Sequence, residues 1–289
     1  MRRLTLLTNP DMCNMHCPLC FLNQRKKTVR YGEMPIEVAK AAVERYASER
    51  DALGRRILRE VIPSTMGEPL LYSNFEELLL FFETQKIKLN LTTNGSFPGK
   101  WSLGSGMEKL LAACSDIKVS TLPYEMGGIR ESQWRENVKR LMDCRKRMEM
   151  DRKEPLATVS LQVTLHGENV GECASATEFV QGMLRFAEKV GVQRIKWNPV
   201  VLLEGASREI RERYGVEESV LEMLRDELRK GKLRFTKVKS EGSLFFKKDT
   251  ALCPVGGKCD SCPFADEVWV WPDGHEDHCP NPERRFGNG

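Results

Sequence analysis

The chain carries ten cysteines, at positions 13, 17, 20, 114, 144, 173, 253, 259, 262 and 279. Seven of them fall in two groups near the chain ends. The first group reads Cys13-Asn-Met-His-Cys17-Pro-Leu-Cys20, a Cys-x3-Cys-x2-Cys spacing. Three thiols this close can wrap one face of a [4Fe–4S] cube, for which thiolate is the usual ligand. Such a set leaves one iron with no protein ligand and free to bind a small chelating molecule. A zinc knuckle is the competing reading, with His16 near enough in sequence to supply a fourth ligand.

The second group is Cys253-Pro-Val-Gly-Gly-Lys-Cys259-Asp-Ser-Cys262, with Cys279 sixteen intervening residues later. Val268-Trp-Val-Trp-Pro-Asp-Gly-His lies in the gap and predicts a hairpin, β formers followed by a Pro-Asp-Gly turn. That hairpin brings Cys279 back towards the other three thiols. On spacing alone a four-cysteine zinc site is favoured, with His275 and His278 as competing ligands. Cys114, Cys144 and Cys173 stand alone in helical or helix-capping contexts and are expected to be small buried hydrophobes.

These residues need a scaffold. In 289 residues, 40% hydrophobic and 30% charged, the chain has an ordinary globular balance, which excludes collagen-like and wholly disordered classes. No apolar run approaches the roughly 20 residues of a membrane span, and Asn9-Pro10-Asp11 interrupts the apolar start too early for a signal peptide. A cytoplasmic protein with reduced thiols is the expectation. The net charge of +4 gives no broad basic surface for nucleic acid. Arg225–Lys248 is locally basic and Asp260–Glu283 acidic, which reads as solvated faces or a docking surface for an anionic partner.

Along the chain, short β-branched runs alternate with helical patterns. Strands are expected at Leu4–Thr8, Ile57–Pro63, Ile87–Thr93, Ile117–Leu122, Ala157–Leu165 and Gln193–Leu203. Helices are expected from Pro35, over Asn74–Thr84, Met107–Cys114, Ser132–Met150, Ala174–Val190 with Gly191 as C-cap, and Arg208–Lys230. Six β–α units imply parallel strands with right-handed crossovers, arranged as a partial barrel or an open doubly wound sheet. From Gly231 the texture turns to short strands, glycines and cysteines, so a boundary is placed there, giving segments 1–230 and 231–289.

With the first cysteine group on the loop after strand one, the sequence resembles the radical S-adenosylmethionine (SAM) superfamily. The resemblance covers roughly residues 1–205. Met66-Gly67-Glu68-Pro69 after strand two is similar to the family's Gly-Gly-Glu segment, with Met66 replacing the first glycine. Thr92-Thr93-Asn94-Gly95 and Val119-Ser120 are similar to its segments ending strands three and four. Ile195–Pro199 lies where strand six flanks adenine. The family often has an aromatic before the third cysteine; here Leu19 stands there and Phe21 follows Cys20. The resemblance implies an α/β partial (β/α)6 TIM-like barrel. It implies a [4Fe–4S] cluster on Cys13, Cys17 and Cys20 that binds SAM, and contacts to SAM from Phe21, Gly67, Glu68, Asn94, Ser120 and Asn198. The 231–289 segment resembles the twitch domain, the half-sized relative of the SPASM domain. That implies a small cysteine-rich β-hairpin domain holding an auxiliary [4Fe–4S] cluster on Cys253, Cys259, Cys262 and Cys279.

The chemistry so implied is reductive SAM cleavage and hydrogen abstraction from a substrate, with electrons from a flavodoxin- or ferredoxin-type donor. The expected substrate is a small polar molecule undergoing dehydrogenation or epimerisation, because the chain is compact. In an epimerase Cys173 is the candidate hydrogen donor, lying just past a strand end. The alternatives are a maturase acting on a precursor peptide and an RNA-modifying enzyme. The chain ends Arg285-Phe-Gly-Asn-Gly289 rather than in a Gly-Gly pair, so the molybdenum-cofactor cyclase reaction is not expected.

Overall fold

The computed structural model describes residues 2–24, 30–63, 66–151, 155–229, 237–245 and 266–278. In chain order the elements are β1 (Arg2–Leu6), α1 (Phe21–Gln24), α2 (Ile36–Ser48), β2 (Leu58–Pro63), α3 (Phe75–Thr84), β3 (Leu89–Thr93), α4 (Gly104–Ala113) and β4 (Cys114–Ser120). There follow α5 (Leu122–Glu125), α6 (Glu131–Asp151), β5 (Thr158–Leu165), α7 (Gly167–Val170), α8 (Cys173–Val190), β6 (Arg194–Pro199), α9 (Arg208–Tyr214), α10 (Glu218–Arg229), β7 (Lys239–Glu241), β8 (Glu267–Val270) and β9 (Glu276–Asp277).

The helices form where apolar residues recur at three- and four-residue spacing, and those faces are the ones buried. Pro35 precedes α2, which turns Ile36, Ala39, Val43 and Tyr46 inward. The α3 helix buries Phe75, Leu78, Leu79 and Phe82. The α8 helix buries Val180, Met183, Leu184 and Ala187 and ends at Gly191, whose φ of 87° is the left-handed conformation expected of a C-cap. The run expected as one helix over Arg208–Lys230 is two. Gly215 takes an extended conformation after Tyr214, and a Cβ at Gly215 would fall 2.6 Å from the Arg211 carbonyl.

The strands form one sheet in the order β7-β6-β5-β4-β3-β2-β1-β8-β9. Every described neighbour pair is parallel except β8 with β9. The β8–β9 hairpin turns through Trp271–His275 with Gly274 at φ 86°, as the Pro-Asp-Gly signal predicts. The sequence does not signal that β8 lies parallel to β1, pairing Leu4 with Val268 and Leu6 with Val270. The sheet curls. Gln24, the last residue of α1 in the connection after β1, accepts from the Leu203 N–H at 2.9 Å and donates to the Leu19 carbonyl at 2.8 Å. It thereby joins the loop after β1 to the loop after β6, five strands away. This is the α/β architecture of a partial TIM-like barrel.

Side chains alternate across the curl. Ile117, Val119, Val159, Leu161, Val163, Leu165, Ile195 and Trp197 are wholly buried under the helices. The residues between them from Lys118 to Asn198 face the inside, and most keep partial exposure.

Candidate functional site

The cysteine loop leaves the C-terminal end of β1 and is tied down by the segment after β2. Asn9 Nδ2 donates to the Glu68 carbonyl at 2.7 Å, and the Glu68 N–H donates to the Met12 carbonyl at 2.7 Å. Gly67 makes this approach feasible. Its φ is 72°, and a Cβ would lie 2.2 Å from the Asn9 carbonyl oxygen and 2.6 Å from that of Met12.

The buried Glu68 carboxylate accepts from Thr93 Oγ1 at 2.8 Å, the Asn94 N–H at 2.7 Å and the Leu70 N–H at 3.3 Å. Burial raises its pKa to about 7 against those three donors. The sequence reading turns this charge towards a SAM ammonium; the structure turns both oxygens onto protein donors at the end of β3.

Asn94 in turn reaches the cysteine loop. Its Nδ2 donates to Asn14 Oδ1 at 2.7 Å and lies 3.7 Å from Cys13 Sγ. The Met15 N–H donates to the same sulfur at 3.4 Å. Burial pushes the Cys13 thiol up while these donors oppose it. Burial and then the neighbouring Cys20 and Cys13 push Cys17 up to about 12. Cys17 is buried and Cys13 and Cys20 are half-buried. As placed, no three His, Cys, Asp or Glu side chains among the described residues gather to hold a metal ion. The donor chemistry nevertheless fits an iron–sulfur cluster: three soft ligands in mutual electrostatic reach, with N–H donors at one sulfur.

The other predicted SAM contacts are less closely gathered. Phe21 opens α1 and packs beside Leu7, Met66, Leu203, Trp269 and Trp271, while Leu19 is buried. Ser120 ends β4, and its carbonyl accepts from Trp134 Nε1 at 2.9 Å. The turn after α5 closes on the cysteine loop, since a Cβ at Gly128 would meet Met15 Sδ at 2.8 Å. Asn198 is the penultimate residue of β6, where its Oδ1 accepts from Ser243 N and Oγ, both at 3.1 Å.

Cys114 and Cys144 are buried, as expected. Cys173 is not: it is the first residue of α8 and is exposed, because helix entry leaves it on the solvent side. Cys253, Cys259, Cys262 and Cys279 lie outside the described residues. His275 stacks on Trp271, with ring centroids 5.3 Å apart, and its Nδ1 lies 2.6 Å from Asp273 Oδ1.

One polar cluster escapes the sequence reading. His166 Nε2 and Glu125 Oε2 lie 2.8 Å apart with both side chains buried, and Asn169 Nδ2 donates to the same oxygen at 2.6 Å. Among the described residues Glu125 Oε1 has no partner, and His166 Nδ1 faces the start of α7 without a well-aligned bond. A histidine directly after a strand was the available signal; its partner 41 residues away was not.

No family model and no curated protein matches the chain. Among solved structures, Streptococcus suis SuiB bound to S-adenosylmethionine aligns over 96% of this chain and 60% of its own, at 16% identity and a TM-score of 0.60. SuiB alone gives a TM-score of 0.60 at 17% identity, with the same coverage. SuiB bound to precursor peptide SuiA gives 0.57 at 16%, over 96% of this chain and 59% of its own. The chain thus spans about 60% of the length of the SuiB chains it matches. At these identities the likeness is one of fold.

Proposed function

We propose that the chain is a radical SAM enzyme that binds a [4Fe–4S] cluster on Cys13, Cys17 and Cys20 and abstracts hydrogen from a small polar substrate. The observation that carries the reading is the bracing of the cysteine loop by Gly67, Glu68 and Asn94 at the C-terminal rim of a parallel barrel, in a fold shared with a SAM-bound protein. When bound, the cluster and SAM supply the one-electron chemistry, with the electron delivered by a flavodoxin- or ferredoxin-type donor. The chain's own residues hold and orient. Asn94 and the Met15 N–H direct hydrogen-bond donors at Cys13 sulfur, which tunes a thiolate ligand. Phe21, Gly67, Ser120 and Asn198 are assigned to the SAM surround, and Glu68 acts by fixing the segment that carries Gly67. Cys253, Cys259, Cys262 and Cys279 are assigned to an auxiliary cluster in a twitch-like segment from 231 to 289. That cluster serves a dehydrogenation as electron sink. In an epimerisation Cys173 is the candidate hydrogen donor.

A second reading, a peptide-modifying maturase, draws on the likeness to SuiB, one of whose structures holds precursor peptide SuiA.

Anaerobic reconstitution tests the first reading. About eight irons and eight sulfides per chain are expected, with 5′-deoxyadenosine released on reduction with SAM. Changing Cys13, Cys17 and Cys20 to alanine together leaves about four irons and abolishes release. Stoichiometric zinc without broad visible absorbance overturns it.

A further inference from the structure

The inner face of the barrel carries charges that the cysteine site does not use. Asp116 on β4 accepts from Ser160 Oγ on β5 at 2.7 Å and from Lys196 Nζ on β6 at 2.8 Å. Lys196 lies 3.7 Å from Glu241 as well. On the other side, Arg3 on β1 pairs with Glu60 on β2 at 2.6 Å and with Glu267 on β8 at 3.7 Å. Each of these cations has its carboxylate.

Lys118 does not. It stands on β4, in register with Thr92 on β3 and Ser160 on β5. Among the described residues its amine has no hydrogen bond or ion pair within 4.0 Å. The charges that act on it are Lys196, Glu60, Asp116 and Arg3, drawn from β1, β2, β4 and β6. Only an inward-facing side chain in a curled sheet senses all four strands. Burial, and then Lys196, lower its pKa to about 8. Yet Lys118 is partly exposed, as are Thr92, Ser120, Gln162 and Thr164 on the same face. An amine enclosed by four strands but still accessible lines a hollow. Among the described residues, two further polar atoms on this face are orphaned: Thr5 Oγ1 and Asn90 Oδ1 are buried without partners. An unmet buried polar atom costs about 1–3 kcal/mol, so the hollow is built to hold something polar.

We propose that this hollow receives the substrate and that Lys118 anchors it through a single carboxylate. The proposal rests on the reading of the chain as an enzyme acting on a small polar molecule, and it names that molecule's class. One unpaired cation flanked by the paired carboxylates of Asp116 and Glu60 suits a monoanion and repels a dianion such as phosphate. Lys118 lies two residues before Ser120, the last residue of β4, so it stands roughly 7 Å below the rim. That depth places the anchor beneath the cysteine loop, as a group held for attack from the rim requires.

The test is competitive amine labelling of the reconstituted chain near pH 8, with a trace of isotopic N-acetoxysuccinimide and peptide mass spectrometry. Glycolate is the carboxylate probe and inorganic phosphate the dianion, at equal ionic strength. Glycolate is expected to slow Lys118 labelling saturably, by about fivefold, the loss of free amine at pH 8 when a pKa of about 8 rises by about one unit, while surface lysines are unaffected. Equal or better protection by phosphate overturns the single-carboxylate assignment. No protection by either probe, or a Lys118 that resists the reagent throughout, overturns the anchor. Loss of SAM cleavage with glycolate protection intact strikes the proposed function alone. Intact SAM cleavage without protection strikes this inference alone.

Discussion

The Asn94 N–H donates to Glu68 Oε2 at 2.7 Å across 26 residues of sequence, and the Asn94 side chain stands against Cys13 sulfur. The end of β3, the turn after β2 and the cysteine loop after β1 are thus one braced unit.

Glu68 should make the fold pH-sensitive. Its pKa is raised from 4.5 to about 7 in the folded protein, so the folded state holds this proton more tightly than the unfolded chain. Its contribution is complete below about pH 4.5 and is lost as pH rises to about 7, a change of about 3 kcal/mol. Glu68→Gln should remove that slope. Denaturant melts of both proteins between pH 4.5 and 7.5 measure the difference; parallel profiles count against a buried, titrating Glu68.

Gly67 and Gly54 form a controlled pair. Both have positive φ, 72° and 73°, but a Cβ at Gly54 meets nothing within 4 Å whereas one at Gly67 strikes the Asn9 and Met12 carbonyls. Gly54→Ala should cost about 1 kcal/mol for the left-handed backbone. Gly67→Ala should cost at least about 2 kcal/mol more through overlap and lower the iron retained at the N-terminal cluster. Equal costs would mean that the loop relaxes freely.

The His166–Glu125 contact should be energetically coupled. His166→Phe keeps a ring against Tyr214, whose centroid is 5.8 Å away, but removes the nitrogen facing Glu125. A double-mutant cycle with Glu125→Gln is expected to give a coupling of about 1.5–3 kcal/mol, the range for a hydrogen bond to a charged group. A coupling near zero would show the two groups to be independent.

Among the three cysteines outside the clusters, Cys173 alone should react. It is exposed, while Cys114 is buried with its thiol pushed up to about 12 and Cys144 is buried with its thiol raised. Thiolate is the reactive form. Iodoacetamide on the folded protein should alkylate Cys173 fastest of the three, as read by peptide mapping. Comparable labelling of Cys114 would mean that the α4–β4 junction opens.

What the sequence determined by itself is local. Period-3.6 apolar spacing placed α2, α3 and α8, and the β-branched runs placed most of the parallel strands, since which face is buried is written in neighbouring residues. Gly191 and the Pro-Asp-Gly turn marked their ends because their backbone needs are intrinsic. The Cys-x3-Cys-x2-Cys loop was legible because ligand spacing is itself local. Tertiary structure decided the rest. Strand β8 joins β1 across more than 260 residues, and such pairing depends on which edge remains open. The strand over Ile117–Leu122 begins at Cys114 instead, because pairing with β3 recruits residues that local pattern gave to the helix. The direction of the Glu68 carboxylate, the exposure of Cys173 and the meeting of His166 with Glu125 each follow from how distant loops pack. Lys118 belongs with them. Period-2 alternation puts it opposite Ile117 and Val119, but only the curl of the sheet makes that face an interior and leaves its charge unpaired among paired ones.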